Sequence, residues 1–325
     1  MHPDAAPADT APREAVGVIG ATSFVGARLL QRLCGPAASG SRRVLACSRA
    51  AAPPAATVHE VEWHRLAAGR RAEGGPIPRW VTLCPVWNVA EHLPLLEAAG
   101  ARRLVVMSST SRFTKAASPA AADRALAARL VAAEEEVAEA AAARGVELVI
   151  LRPTLTYDGV HDHNVAVIAR FIRRAGFLPV AGPAAGLRMP VHAADVAAAC
   201  DRAIDAAGLR PSYELSGGET LSYREMVRRI FVWLGLPVRI VTVPRAVMRA
   251  ATAVLAPLPR AGTILAMAAR MNEDLVFDHG PATADLAFAP RPFILSDGVL
   301  PSRPAVDHAA GPCRSARASR RCPRP

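Results

Sequence analysis

Between residues 14 and 35 the chain reads EAVGVIGATSFVGARLLQRLCG, and no other stretch narrows its possible folds as far. Ala15 to Ile19 is a short apolar run of the kind that forms a buried strand. Phe24 to Cys34 carries Val25, Leu29, Leu30 and Leu33 at helical spacing, with Gly35 as the stop. The turn that joins them, Gly20-Ala-Thr-Ser23-Phe-Val-Gly26, is made mostly of small residues. Such a turn lets backbone N–H groups approach a diphosphate at the positive end of the helix. Gly20 suits the tight turn and Gly26 the close packing of helix on strand. Ser23 stands where glycine is more usual; it fits if its φ is negative, and its hydroxyl could then touch phosphate. A glycine-rich turn that serves packing alone reads the same way. Position favours the binding role, because the first strand of a parallel sheet is where dinucleotides sit.

The rest of the chain keeps that alternation. RRVLACS is a second strand, ATVHEVEWHRL holds a third, and WVTLCPV is a fourth, followed by a helix from Asn88 to about Ala99. RRLVVMSS is a fifth strand. The next helix is expected to start with Ser118 as N-cap and Pro119 at its first position. VELVILRPTL is a sixth strand. Strands alternating with helices, without hairpin signals, give an α/β fold with a doubly wound parallel sheet. Beyond Tyr157 come the amphipathic helices NVAVIARFIRR and VHAADVAAACDRAIDAA and the strand SYELSG. LSYREMVRRIFVWLG then opens on a capping box, Ser222 with Glu225, and a Leu221–Met226 staple. The expected organisation is a disordered leader over 1–13, a Rossmann-like core over 14–157 and a small C-terminal substrate lobe over 158–300. Residues 212–217 return to the core, and 301–325 form a disordered basic tail.

The second strand ends at Cys47-Ser48-Arg49. An acid there would accept hydrogen bonds from a ribose 2′-hydroxyl and select NAD. None is present, and Arg49 suits a 2′-phosphate through a forked, charge-assisted contact. The expected cofactor is therefore NADP rather than NAD, the alternative being that Arg49 is one solvated arginine among many.

Composition excludes more than it assigns. The net charge of +11 raises nucleic acid as a partner. Yet the arginines are scattered, and their densest cluster, Arg314 to Arg324, lies in the Pro/Ala/Ser-rich tail. No nucleic-acid partner is expected. The six cysteines form no CxxC pair and no ligand-like spacing with histidine, so no metal site is expected. The opening residues lack a basic start and an apolar run, so no secretory signal is expected. AVMRAATAVLAPLPRAGTILAMAARM, 246–271, is broken by Arg249, Pro257, Pro259 and Arg260 and falls short of a bilayer span. A cytoplasmic protein with a small-molecule substrate follows.

Taken in order, GATSFVG, NVAEHLPLLEAAG, VVMSSTS, LRPTLTY, PVHAADVA and YELSGGETLSYREM make residues 14–290 resemble the extended short-chain dehydrogenases/reductases, the NAD-dependent epimerase/dehydratase group. The resemblance implies an oxidoreductase with a nicotinamide dinucleotide on the sheet and a substrate, often a nucleotide sugar, under the lobe. A homodimer is also common there. It implies that Thr110 is the catalytic hydroxyl, that Asn88 opens the fourth helix, and that Pro153 meets the nicotinamide end. Tyr157 closes RPxxxY, while Arg188, His192 and Asp195 lead into VHAADVA, where the latter two cap or position. The cofactor set so implied is Gly20, Thr22, Ser23, Phe24, Val25, Gly26, Arg49, Ser108 and Pro153.

One departure is serious. The family's acid/base tyrosine and its partner lysine, four residues apart, fall here on Leu126 and Leu130, and no tyrosine lies between Thr110 and Arg152. Leucine carries no proton, and a threonine hydroxyl alone is too weak an acid to replace the pair. Lys115, the chain's only lysine, and Tyr157 are the remaining candidate proton carriers beside Thr110 and Asn88. A partly buried lysine can give up a proton where arginine cannot. A loop lysine that is simply solvated is the plainer reading. The two functions left open are an NADP(H)-binding oxidoreductase and a non-catalytic NAD(P)-binding sensor or scaffold.

Overall fold

The computed structural model describes residues 13–35, 42–49, 61–65, 75–244, 246–247, 268 and 270–295. The leader, most of 246–271, the basic tail, Cys313 and Cys322 lie outside the described residues.

Six strands run through the first half of the chain, with helices described after β1, β4 and β5: β1 (Arg13–Ile19), β2 (Arg42–Ser48), β3 (Val61–Arg65), β4 (Arg79–Thr82), β5 (Arg103–Met107) and β6 (Glu147–Pro153). Four short strands follow, β7 (Thr156–Tyr157), β8 (Leu178–Ala181), β9 (Leu187–Arg188) and β10 (Val191–His192). Then β11 (Ser212–Leu215) returns to the main sheet. The sheet order is β3-β2-β1-β4-β5-β6-β11, and every pairing in it is parallel. This is the Rossmann-like doubly wound arrangement. The chain reverses direction across the sheet between β1 and β4, and the crevice outside those strand ends is where ligands bind in such folds.

A sheet buried on both faces needs apolar residues at nearly every position. In β5, Val105 joins the cluster under α1 (Phe24–Cys34) and α6 (Ala193–Asp205), whereas Leu104 and Val106 join the opposite cluster. The opposite cover is α2 (Leu93–Ala98) and α4 (Ala121–Ala142), which contribute Leu93, Leu96, Leu130 and Val137. Thus α6, although it follows Tyr157 in sequence, packs on the sheet itself. Arg79 and Arg103, which begin β4 and β5, donate to the carbonyl of Ile204 in its last turn at 2.5 and 3.1 Å. Asp205 pairs with Arg42 at 2.7 Å and Arg79 at 3.1 Å. Cations at a helix C-terminus offset its negative end.

A third cluster forms the lobe from α5 (Val165–Ala175), α7 (Tyr223–Trp233), Tyr157, Met271 and Phe293. β8 pairs with β13 (Ile240–Val243), β7 with β10, and β9 with β12 (Leu221–Ser222). Ser222 caps α7 by accepting from Glu225 N at 3.1 Å, and Leu221 and Met226 are both buried, as the staple requires. The return half of the capping box is absent, because the Glu225 carboxylate is taken by Arg228 and Arg229.

Two helix boundaries differ from expectation. The fourth strand is followed by two 3-10 turns, Val86–Asn88 and Ala90–His92, before α2 begins. Pro94 has no N–H to continue a helix from the preceding turn, so the α-helix starts around it. Ser118 is not the N-cap of α4: its hydroxyl accepts from Ala120 N at 3.3 Å and donates to Asp123 at 3.0 Å, and the helix opens at Ala121. A four-residue helix, α3 (Ser111–Thr114), precedes it. The chain ends its described part on α8 (Gly280–Leu286) and the segment to Leu295.

One carboxylate ties the α4 side together. Glu134, 2% exposed, accepts from Arg152 Nη2 at 2.8 Å, from the Ser108 hydroxyl and from Arg112. Arg152 reaches on to Ser212 at 2.8 Å and Glu214 at 3.2 Å in β11. Burial alone would raise the Glu134 carboxyl, but Arg152, Ser108 and Arg112 together hold it below its ordinary value of 4.5. Its stabilising effect is therefore complete above that value and is lost as pH falls through the lower, folded one.

Two predictions follow from the packing. Glu134→Gln is expected to cost about 3 kcal/mol near neutral pH, because it removes the buried carboxylate that two half-buried guanidinium groups share. Urea unfolding from pH 7 into the acid range reads this out as a gap from wild type that narrows as pH falls; a pH-independent gap contradicts the assignment. At the centre of β1, a Cβ on Gly17 would lie 2.2 Å from the ring of fully buried Trp80. That ring is pinned by its Nε1–H donating to Ile77 O at 2.8 Å. Gly17→Ala should cost about 1–3 kcal/mol through overpacking, and an unchanged urea midpoint would show that the indole can move aside.

Candidate functional site

The turn after β1 is held backbone against backbone. Gly20 has φ +79, and a Cβ there would meet Cys84 N and the Leu83 carbonyl carbon at 2.9 Å. A Cβ on Gly26 would meet Ala21 O at 2.6 Å. Both glycines therefore do what the spacing implied: one makes the tight turn, the other lets α1 settle on it. Ser23 has φ −69 and caps α1, its Oγ accepting from Gly26 N at 3.0 Å. That use of the oxygen leaves the hydroxyl proton to donate outward. The N–H groups of Phe24 and Val25 open the first turn of α1, where helix geometry offers no carbonyl within the helix. These groups fit a diphosphate.

Beside the turn lies a cavity of about 570 Å³ lined by Ile19, Gly20, Thr22, Ser23, Ser48, Arg49, Leu83, Cys84, Pro85, Asn88, Glu91 and His92. It opens at the ends of β1, β2 and β4, the place the sheet order marks. Thr22 Oγ1 and Ser48 Oγ are 3.1 Å apart, so two hydroxyls and the exposed Arg49 stand together at the end of β2. No acid occupies that strand end. Burial pushes the Cys84 thiol up to about 11, with Arg49 pulling the other way. Burial also lowers His92, and Arg49 adds to the lowering. Arg49, Cys84 and His92 line the same cavity. Asn88 lines the same wall, at the end of a 3-10 turn closed by its N–H donating to Pro85 O at 2.8 Å. Cys84, Glu91 and His92 were not anticipated. The only signal for them was their place just past a parallel strand, since LCPVWNVAEH carries no binding spacing.

The expected catalytic residues are not brought together in a free state. Thr110 is 5% exposed, and both its N–H and its hydroxyl donate to Pro153 O at 3.2 Å. This joins the ends of β5 and β6 and occupies both lone pairs of the Pro153 carbonyl. The Ser108 hydroxyl donates to Glu134. Lys115 Nζ lies 2.9 Å from Asp123 Oδ1. This ion pair holds the Lys115 side chain against the first turn of α4. Tyr157 is turned inward. It is 1% exposed, and its hydroxyl donates to Ile294 O and accepts from Ile294 N, each at 3.2 Å. Its ring packs edge-on to His192 and Phe293, so it belongs to the lobe core. Leu126 and Leu130 share one face of α4 and pack into the cluster that contains Trp80 and Val89.

The VHAADVA segment serves positioning. His192 Nδ1 accepts from Ala194 N at 3.2 Å and caps α6. Asp195 holds Arg291 through N and Nε at 3.0 Å. Arg188, 5% exposed, donates to the carbonyls of Leu187 and Glu273 at 2.7 Å and to that of Arg270. Among the described residues no group of three His, Cys, Asp or Glu could hold a metal ion, and no helix is long and apolar enough to cross a membrane.

Residues 86–215 match the NAD dependent epimerase/dehydratase family. The curated proteins include no match. Among solved structures, UDP-glucuronic acid 4-epimerase from Bacillus cereus in complex with NAD has 15% identity and a TM-score of 0.61, over 87% of this chain and 95% of that one. UDP-N-acetylglucosamine 4-epimerase from Methanobrevibacter ruminantium M1, in complex with UDP-N-acetylmuramic acid, has 12% identity and a TM-score of 0.63, over 86% and 94%. MoeE5 in complex with UDP-glucuronic acid and NAD has 20% identity and a TM-score of 0.59, over 87% and 96%. Identity this low speaks for the fold alone. The matched segment covers less than half of the chain; together with the sheet order and the turn after β1 it makes the chain similar to the NAD-dependent epimerase/dehydratase family in a Rossmann-like fold.

Proposed function

We propose that the chain is an NADP(H)-binding protein of the epimerase/dehydratase type. The observation that carries this is the cavity at the β1 turn, with Arg49, Ser48 and Thr22 at the end of β2 and no acid among them. Helix N–H groups would hold the diphosphate and the Arg49 fork a 2′-phosphate. When bound, the cofactor supplies hydride transfer. A nucleotide-sugar-like substrate under the lobe is supported by the neighbours described above, two of which hold a UDP-sugar and NAD or a UDP-sugar acid. In an oxidoreductase of this class Thr110 would hydrogen-bond the reacting oxygen and Asn88 would order the site. A cytoplasmic location and a homodimer belong to the same proposal.

The second reading, a non-catalytic sensor or scaffold, has a specific observation behind it. Hydride transfer at a carbinol needs a group free to take the proton. Leu126 and Leu130 fill the family's acid/base positions, Lys115 is paired with Asp123, and Tyr157 is bonded to Ile294. This moves the balance from turnover toward binding.

Calorimetry with both reduced coenzymes tests the cavity. NADPH should bind at least tenfold more tightly than NADH, about 1.4 kcal/mol, and Arg49→Ala should erase most of that difference while leaving NADH affinity nearly unchanged. Equal affinities in the wild type would remove Arg49 from the site. For catalysis, Thr110→Ala and Lys115→Arg should leave cofactor affinity intact; a fall in turnover of UDP-sugars in either variant favours the oxidoreductase, and no turnover by the wild type favours the sensor.

A further inference from the structure

Helix α5 buries one face in the lobe, through Val165, Ile168, Ala169 and Ile172. Its outward face holds Val167, Arg170, Phe171 and Arg174, at the i, i+3, i+4 and i+7 positions that share one side of a helix. All four are exposed, Phe171 by 42%. Just past the helix, Phe177 is 40% exposed and meets the Phe171 ring edge-on, the centroids 6.2 Å apart. β8 follows at once, and Leu178 N donates to Arg239 O at 2.9 Å, which brings the start of β13 beside this aromatic pair. Leu178 and Val180 turn into the lobe cluster, so the other side of the β8–β13 ribbon carries Pro179 and its register partner Val241. Val241 is exposed, as are Val238 and Arg239 just ahead of β13.

A surface helix ordinarily shows water its polar residues. Here two phenylalanines and three valines stand in the open, interleaved with Arg170, Arg174 and Arg239, and apolar side chains gathered on one face mark a surface that something covers. The charge says what covers it. From Val165 to Ala194 the sequence has four arginines and no aspartate or glutamate, and from Met226 to Asn272 it has seven and none. The nearest carboxylates in the chain are committed elsewhere. Asp162 accepts from Gly159 N and Ala166 N at 3.0 and 3.1 Å, and Glu225 holds Arg228 and Arg229.

A partner for this face must therefore be both anionic and apolar. A second copy would bring arginines against arginines, which disfavours pairing. A single-stranded nucleic acid could stack on the phenylalanines, but Val167, Val238 and Val241 offer a base nothing. An anionic bilayer meets both demands: phenylalanine and valine enter the boundary below the headgroups, and arginine stems lie along that boundary with their guanidinium groups on lipid phosphate. We propose that α5, the turn at Phe177 and the outer side of the β8–β13 ribbon dock the protein on the surface of an anionic lipid bilayer. The chain lies on the membrane without crossing it. Nothing in this depends on what fills the cavity at the β1 turn.

Co-sedimentation of the full chain with vesicles tests the proposal. The protein should pellet with phosphatidylcholine and phosphatidylglycerol in equal parts and stay in solution with phosphatidylcholine alone. Phe171→Ser combined with Phe177→Ser should weaken partitioning about tenfold or more. Arg170→Glu combined with Arg174→Glu should weaken it at least as much, since each basic residue at such a surface contributes about fivefold. The arginines between Arg314 and Arg324 can draw the chain to the same vesicles by charge alone, so the phenylalanine pair decides. Binding that survives its loss unchanged belongs to charge elsewhere and overturns the proposal. Urea midpoints check that the variants fold; if the serine variant does not, Phe171→Trp replaces it, with tighter binding expected and unchanged binding counting against the face. A wild type that ignores the anionic vesicles also overturns the proposal. So does a wild-type dimer that the serine variant breaks, or a single-stranded oligonucleotide bound by the wild type and lost by that variant.

Discussion

The turn after β1 can exist only because two positions lack a side chain. Gly20, at φ +79, lies against the backbone of Leu83 and Cys84, and Gly26 lies against the carbonyl of Ala21. Any Cβ at either place would push α1 off β1 or β1 off β4. Those contacts set the spacing between β1 and β4, and the sheet reverses its winding there. The cavity at the ends of β1, β2 and β4 follows from that spacing. The ligand end of the molecule is thus a consequence of backbone approach more than of any charged side chain.

Around the ends of β5 and β6 several polar side chains are satisfied within the protein. A polar group in a half-buried crevice is useful to a ligand only while it lacks a partner within the protein. Here the ends of β5 and β6 are stitched by Thr110, the first turns of α4 are held by ion pairs, and leucines occupy the helix face between. Each of these contacts ties neighbouring elements of the fold together. The lobe shows the same tendency, with Tyr157, His192, Asp195 and Arg188 all turned to packing or backbone carbonyls.

Periodicity and turn chemistry made most of the sheet and its flanking helices legible in the sequence. The α1 boundaries, the capping of α7 by Ser222 and the return of β11 are local signals, and the structure keeps them. The site was legible where backbone geometry decides it, at Gly20, Gly26 and the negative φ of Ser23. It was not legible where long-range pairing decides it. Asp123 lies eight residues past Lys115 across an unmarked loop, and Ile294 meets Tyr157 from the far end of the lobe. Nothing in a helix rich in alanine and glutamate singles out Glu134 as the buried one. Its partners, Arg112 and Arg152, come from two other elements. Pro94 was visible but was read as helix interior, and the 3-10 turns that place Asn88 and His92 on the cavity wall were missed with it.

Asp123 deserves a mechanical reading. One carboxylate is shared by Lys115 ahead of α4, by the Ser118 hydroxyl and by Arg270, which is separated from it by 147 residues of chain. Arg270 in turn gives its carbonyl to the guanidinium of Arg188. A rivet of this kind resists shear between the sheet and the lobe, because any sliding has to stretch several charged contacts simultaneously. Any displacement of the Arg270 segment from the start of α4 therefore has to break contacts gathered on this one carboxylate.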